Sequence, residues 1–170
     1  MIRPMDELDL EWVREERNLP ECRDYFRQHN LLSRENQREW WERVKKGEFI
    51  PFVIQEYGGL VGVVQLSHID NIARKCEFSI MIRPESRGKG YGKKALWELL
   101  KHAFNDLNMN QVYSDVFETN TVIDTYLRWG FKEFGILPKW YYKNGRYIDS
   151  HIIAITKDEY NNSLKKTLPR

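Results

Sequence analysis

The chain has 170 residues, a formal net charge of +2, 31% charged residues and 14% aromatic ones. That length makes one domain able to bury a sizeable core. Basic and acidic residues are interleaved, so no basic stripe marks a nucleic-acid or anionic-membrane surface. No apolar run approaches the roughly 18 residues of a membrane span, and Met1–Glu7 lacks the apolar core of a signal peptide. Cys22 and Cys76 form no C-x-x-C pair, and the four histidines lie far apart with no metal-ligand spacing. The expectation is a cytoplasmic protein with no metal, no membrane and no nucleic-acid partner, in a compartment that keeps thiols reduced.

Ile2 to Met5 reads as a short first strand, and Asp6 offers an N-cap to a helical segment through Arg17. Asn18-Leu19-Pro20 breaks it, and a second helical stretch covers Glu21 to Gln28. Ser33 caps a stronger helix that carries Gln37, Trp40, Trp41 and Val44 on one side and ends near Gly47. From Phe49 the period falls to two. Phe49–Glu56 and Leu60–Ile69 read as strands joined by Tyr57-Gly58-Gly59, and Lys75–Arg83 as the next strand. Its alternation puts Cys76, Phe78, Ile80 and Ile82 on one face and Glu77, Ser79 and Met81 on the other.

Arg87-Gly88-Lys89-Gly90-Tyr91-Gly92-Lys93-Lys94 then opens into the clearest helix of the chain. Ala95, Leu96, Leu99, Leu100, Ala103, Phe104 and Leu107 make its apolar stripe. Three alternate glycines before a helix let backbone N–H groups converge on an anion at the positive helix end. A P-loop would need a hydroxyl after Gly92-Lys93, where Lys94 stands. A dinucleotide fold would need an acidic residue ending a second strand, but Asp106 falls at the end of the helix. The loop therefore reads as a pyrophosphate cradle of another kind. Gln111–Glu118 is a further strand, and Asn120 begins a short helix with Val122, Ile123, Tyr126 and Leu127 on its buried side. Strands Lys132–Tyr142 and Tyr147–Thr156 close the pattern, followed by a polar tail over 161–170. The last strands either pair with a second copy or lie inside the sheet, so monomer and homodimer both remain open.

Arg87-x-x-Gly90-x-Gly92 resembles the acyl-CoA loop of the GNAT family of N-acetyltransferases, and Asn120-x5-Tyr126-x3-Gly130-Phe131 resembles its second motif. Arg17-Asn18, Ser33, Gln37 and Trp40-Trp41 are similar to the RimJ/RimL-type branch, including bacterial enzymes acting on nucleotide-linked amino sugars. The resemblance implies a single GNAT domain over 1–160. The fold class it implies is α/β (α+β), with a mixed, mostly antiparallel sheet of about six to seven strands and helices on both faces.

It also implies acetyl-CoA as co-substrate and direct transfer to the primary amine of a small molecule, an amino-sugar nucleotide being the narrower expectation. The alternatives are a protein N-terminal or lysine acetyltransferase and a non-catalytic acyl-CoA-binding module. By that likeness, Arg87, Gly88, Lys89, Gly90, Tyr91, Gly92 and Lys93 hold the pyrophosphate, and Ile80, Met81 and Ile82 pair with the pantetheine arm. Asn120 lies near that arm, and Tyr126 protonates the departing thiolate. Glu77, ahead of Glu118, is the candidate base. Trp40, Trp41, Trp140, Tyr141, Tyr142 and Tyr147 are expected to wall the acceptor pocket, as aromatic faces suit rings and ammonium groups alike. No acidic run of the kind a polyamine would need is present.

Overall fold

Residues 1–167 are described in a computed structural model. The chain runs β1 (Ile2–Pro4), α1 (Leu10–Asn18), α2 (Pro20–Arg23), α3 (Arg34–Lys45), β2 (Phe49–Glu56), β3 (Gly59–Asp70), β4 (Lys75–Ile82) and α4 (Tyr91–Lys101). It continues through β5 (Gln111–Phe117), α5 (Ile123–Arg128), β6 (Lys132–Lys143), β7 (Arg146–Thr156) and α6 (Lys157–Thr167). The strands form one 7-stranded sheet in the order β1-β2-β3-β4-β5-β7-β6. Every neighbouring pair is antiparallel except β4 and β5, whose parallel pairing needs the crossover that α4 supplies. This is the mixed, mostly antiparallel sheet expected from the sequence. Among the described residues no helix is long and apolar enough to cross a membrane.

Helices cover both faces because the central strands together present apolar side chains on both. Cys76, Phe78, Ile80 and Ile82 pack with Leu96, Leu99, Leu100 and Phe104 of the crossover helix. Met81 joins Val53 and Val63 on the other face, under Leu10, Val13 and Cys22, with Trp40 and Trp41 against that cluster. The apolar stripe runs beyond α4 through a π-helical turn over His102–Asp106, which keeps Ala103 and Phe104 buried. Ser33 caps α3 as expected: its hydroxyl accepts from the Asn36 N–H and the Asn36 side chain accepts from the Ser33 N–H, both at 3.1 Å. Strand β7 lies inside the sheet and β6 forms its edge.

Two segments depart from the sequence reading. The helix expected over Glu21–Gln28 ends at Arg23, because tertiary partners compete for its backbone. The Lys143 ammonium donates to the Arg23 and Gln28 carbonyls at 3.4 and 2.7 Å, and Arg17 takes the Gln28 side chain at 2.6 Å. The stretch read as a polar tail continues as α6 through Thr167, while 168–170 lie outside the described residues. Thr156 and Glu159 form a capping box at its start, and Tyr160 is buried against Trp97 and Phe104, with ring centroids 5.0 and 5.2 Å away.

Tyr160→Ala is therefore expected to cost about 3 kcal/mol in a denaturant titration, the range for emptying a buried aromatic site. A loss below about 0.5 kcal/mol, the size of a surface change, would mean that α6 does not belong to the core.

Candidate active site

β4 and β5 pair over only three positions, Lys75–Gln111, Cys76–Val112 and Glu77–Tyr113, and then part. The Arg83 N–H donates to the Val61 carbonyl at 3.0 Å, which fixes the alternation along β4. Arg83, Met81 and Ser79 turn their backbone groups toward β3, while Ile82, Ile80 and Phe78 turn theirs into the gap left by β5. The Ile82 carbonyl is met there by the Arg87 guanidinium, Nε to O at 3.1 Å. Met81, expected to share the pairing role, keeps its backbone on β3 and gives only lining to the groove. Amide groups that face no strand need another partner.

Above the gap, Gly90 is the N-cap of α4 at φ 83°, and Gly88 lies at φ 76°, both conformations that favour glycine. Gly92 has no positive φ; a methyl there would make ordinary contact with Ile80 and Ile82, so its smallness serves helix–strand approach. No side chain caps α4, and the first helical bond runs from the Lys94 N–H to the Gly90 carbonyl at 3.2 Å. The N–H groups just before it point out of the helix end, where an anion is favoured. Arg87 is a brace as well as a lining residue: its Nη2 donates to the Glu21 carbonyl at 2.8 Å and holds the loop to α2. A groove of about 560 Å³ runs from this loop along Ile80 and Ile82 to Asn120 and Tyr126.

A second cavity, of about 210 Å³, enters from the opposite end of the gap. The two share Tyr25, Phe26, Ile80, Asn120, Val122 and Tyr126. Tyr126 is buried edge-on against Phe78 and Trp129, and burial raises its phenol well above the ordinary value. Asn120 accepts from the Val122 N–H at 3.2 Å, a local turn that ends β5 and starts α5.

The second cavity holds four charged groups: Arg17, Arg27, Glu77 and Asp115. Arg27 Nη2 bonds both Glu77 Oε1 and Asp115 Oδ1, joining two carboxylates across the parted strands. Asp115 also accepts from the Tyr141 hydroxyl at 2.6 Å, and burial together with that bond pushes the Tyr141 phenol up to about 12. Glu77 Oε2 lies 2.8 Å from His68 Nδ1. His68, at φ 48°, sits in the irregular stretch where β3 slips past β4, which re-aims its ring toward the carboxylate.

The remaining expected residues scatter. Glu118 faces Arg146 at 3.8 Å and lines neither cavity. Lys89 is exposed and outside the groove, whereas Tyr91 and Lys93 line it. The six aromatic residues expected in the acceptor wall do not form one: Trp40 touches Trp41 and Tyr142 touches Tyr147, with ring centroids 6.3 and 5.2 Å apart, but the two pairs lie in different places and none of the six lines the second cavity. Trp40 and Trp41 pack against the core cluster under α1, Trp140 and Tyr142 stand exposed on edge strand β6, and Tyr147 is exposed at the start of β7. The alternation of β6 explains the miss, since Tyr141 turns inward to Asp115 while its two neighbours turn out. Arg27, Asp115 and His68 were not singled out from sequence. Asp115 had a usable signal, being two residues beyond Tyr113 and so on the same face of β5. Burial pushes up the thiols of Cys22 and Cys76, the latter to about 12, so neither is poised as a nucleophile.

The family signature described as the acetyltransferase (GNAT) domain matches residues 1–131. A spermidine N(1)-acetyltransferase of Vibrio cholerae is 34% identical over 113 residues, 65% of this chain and 65% of that enzyme, just under two thirds of its length. One from Escherichia coli K12 is 27% identical over 94% of this chain and 87% of its own. The crystal structure of the Vibrio cholerae enzyme with CoA and spermine superposes at a TM-score of 0.89, with 28% identity over 95% of this chain and 98% of that one. These relatives do not carry the narrower likeness to amino-sugar-nucleotide or RimJ/RimL-type enzymes. The extent of the match, together with the loop, the parted strands and Tyr126, shows that the chain belongs to the GNAT acetyltransferase family.

Proposed function

We propose that this N-acetyltransferase moves the acetyl group of acetyl-CoA directly onto the primary amine of a small molecule at Tyr126. The observation that carries the reading is the meeting of two cavities at that side chain, one under a phosphate-type loop and one lined by charged groups. Acetyl-CoA supplies the activated acetyl thioester. The residues present fit it: the uncapped end of α4 and the glycine N–H groups suit a pyrophosphate. The gap beside Phe78, Ile80 and Ile82 offers backbone groups to an extended arm, in the manner of an added strand. The N–H of Ile80 or Ile82 polarises the carbonyl oxygen of the acetyl group.

The amine enters from the Glu77–Asp115 side. Glu77 lines that cavity and Glu118 does not, which supports Glu77 as the group that takes the amine's proton, directly or through water. Tyr126, kept neutral by burial through the whole physiological range, holds the proton that the thiolate needs. A cavity of about 210 Å³ suits a small acceptor better than an extended peptide, and the acceptor named for the relatives is likewise a small molecule.

Tyr126→Phe keeps the ring packing and removes the proton. It is expected to lower kcat at least a hundredfold with the KM for acetyl-CoA changed less than threefold, as for loss of a general acid. Unchanged kcat would remove Tyr126 from the chemistry. Gly90→Ala strains a positive-φ position by about 1–2 kcal/mol. Its expected effect is a roughly tenfold weaker Kd for CoA by calorimetry, since relaxing the strain moves the N–H groups. An unaltered Kd would mean that the loop does not hold the cofactor.

A further inference from the structure

Arg17, on α1, lines the acceptor cavity, yet its partners are all neutral. Its Nη2 donates to Gln28 Oε1 at 2.6 Å, the guanidinium lies 4.7 Å over the Phe26 ring, and its buried Nε meets no acceptor. Burial alone acts on its pKa, bringing it down to about 10, so the group stays charged at neutral pH. A half-buried cation without a counter-ion is costly, and such a site favours an anion supplied from outside. The acid pair in the same cavity does not answer it, because both Glu77 and Asp115 bond Arg27 and neither makes an ion pair with Arg17.

The two guanidiniums and two carboxylates sum to zero, which is not the field that a bare polycation needs. The rest of the wall points the same way. Gln65, Ser67, Ser79 and Ser114 can donate as well as accept, whereas a polyamine offers nitrogens joined by apolar methylenes. Resting on the acceptor-cavity reading above, we infer that the acceptor amine also carries an anionic group, a carboxylate or a phosphate, bound by Arg17 while the amine faces Tyr126. Arg17 is then the residue that sets acceptor class.

The test is binding to the CoA-loaded protein by calorimetry, using matched amines. Lysine is compared with cadaverine, which lacks only the carboxylate, and glucosamine 6-phosphate with glucosamine. The inference predicts at least tenfold tighter binding of the anion-bearing member in one pair or both, and the pair that responds tells carboxylate from phosphate. Arg17→Gln removes the difference and Arg17→Lys retains part of it, with CoA affinity as the check that each variant is folded. Arg27→Met, which frees the acid pair and leaves Arg17, shifts preference toward cadaverine. Equal affinities within both pairs, or tighter binding of cadaverine and glucosamine, overturn the inference, as does a preference that survives Arg17→Gln. Turnover is read separately. Anion-selective binding without acetylation leaves the inference standing and counts against the transfer site proposed above.

Discussion

The parting of β4 from β5 after three paired residues is the constraint on which the rest of the site depends. A sheet continuous through these strands would satisfy every amide of β4 and leave no path across the domain. Because β5 turns away beyond Tyr113, the backbone of Phe78, Ile80 and Ile82 faces an opening instead of a strand. The crossover through α4 places a helix N-terminus at one end of that opening, and the diverging carboxylates of Glu77 and Asp115 border the other. The parallel pair is held at its base by the buried side chains of Cys76 and Val112, so the opening is a built feature of the core.

The same divergence creates an electrostatic problem that the structure answers with a loop. Two largely buried carboxylates on neighbouring strands would repel each other in a poorly solvated cleft. Arg27 bridges them from the irregular segment after α2, and that segment is itself tied down by Arg17 and Lys143. The loop that fails to become helix thus supplies a cation that holds the two carboxylates together, and it also contributes Tyr25 and Phe26 to the junction of the two cavities. Local helical preference lost to tertiary bonds here because those bonds satisfy buried charge.

Much of this was legible in the sequence. The strand alternation of Cys76–Ile82, the stripe from Ala95 to Leu107, the Ser33 cap and the glycine loop all declare themselves locally, since each depends on residues only a few positions apart. The family likeness rests on the same short-range patterns. What stayed hidden depends on register between distant strands: that Glu77 lies beside Tyr113, that Asp115 falls just beyond the last paired position, and that Tyr141 is the one aromatic of its run to turn inward. Arg27 was masked by a helical reading of its segment. The α6 helix was a different kind of miss, since Thr156-Lys157-Asp158-Glu159 spells a capping box that the polar composition of the tail obscured.

In the proposed function the cofactor arm lies in the β4–β5 gap and delivers its sulfur to Tyr126. A crystal structure of the protein with CoA tests it most directly. The expected result is the pyrophosphate on the N–H groups of the Gly88–Lys93 loop, the arm bonded to the backbone of Ile80 or Ile82, and the sulfur within about 3–4 Å of the Tyr126 hydroxyl, the reach of proton transfer. CoA bound with its arm outside the gap, or with its sulfur away from Tyr126, would contradict it.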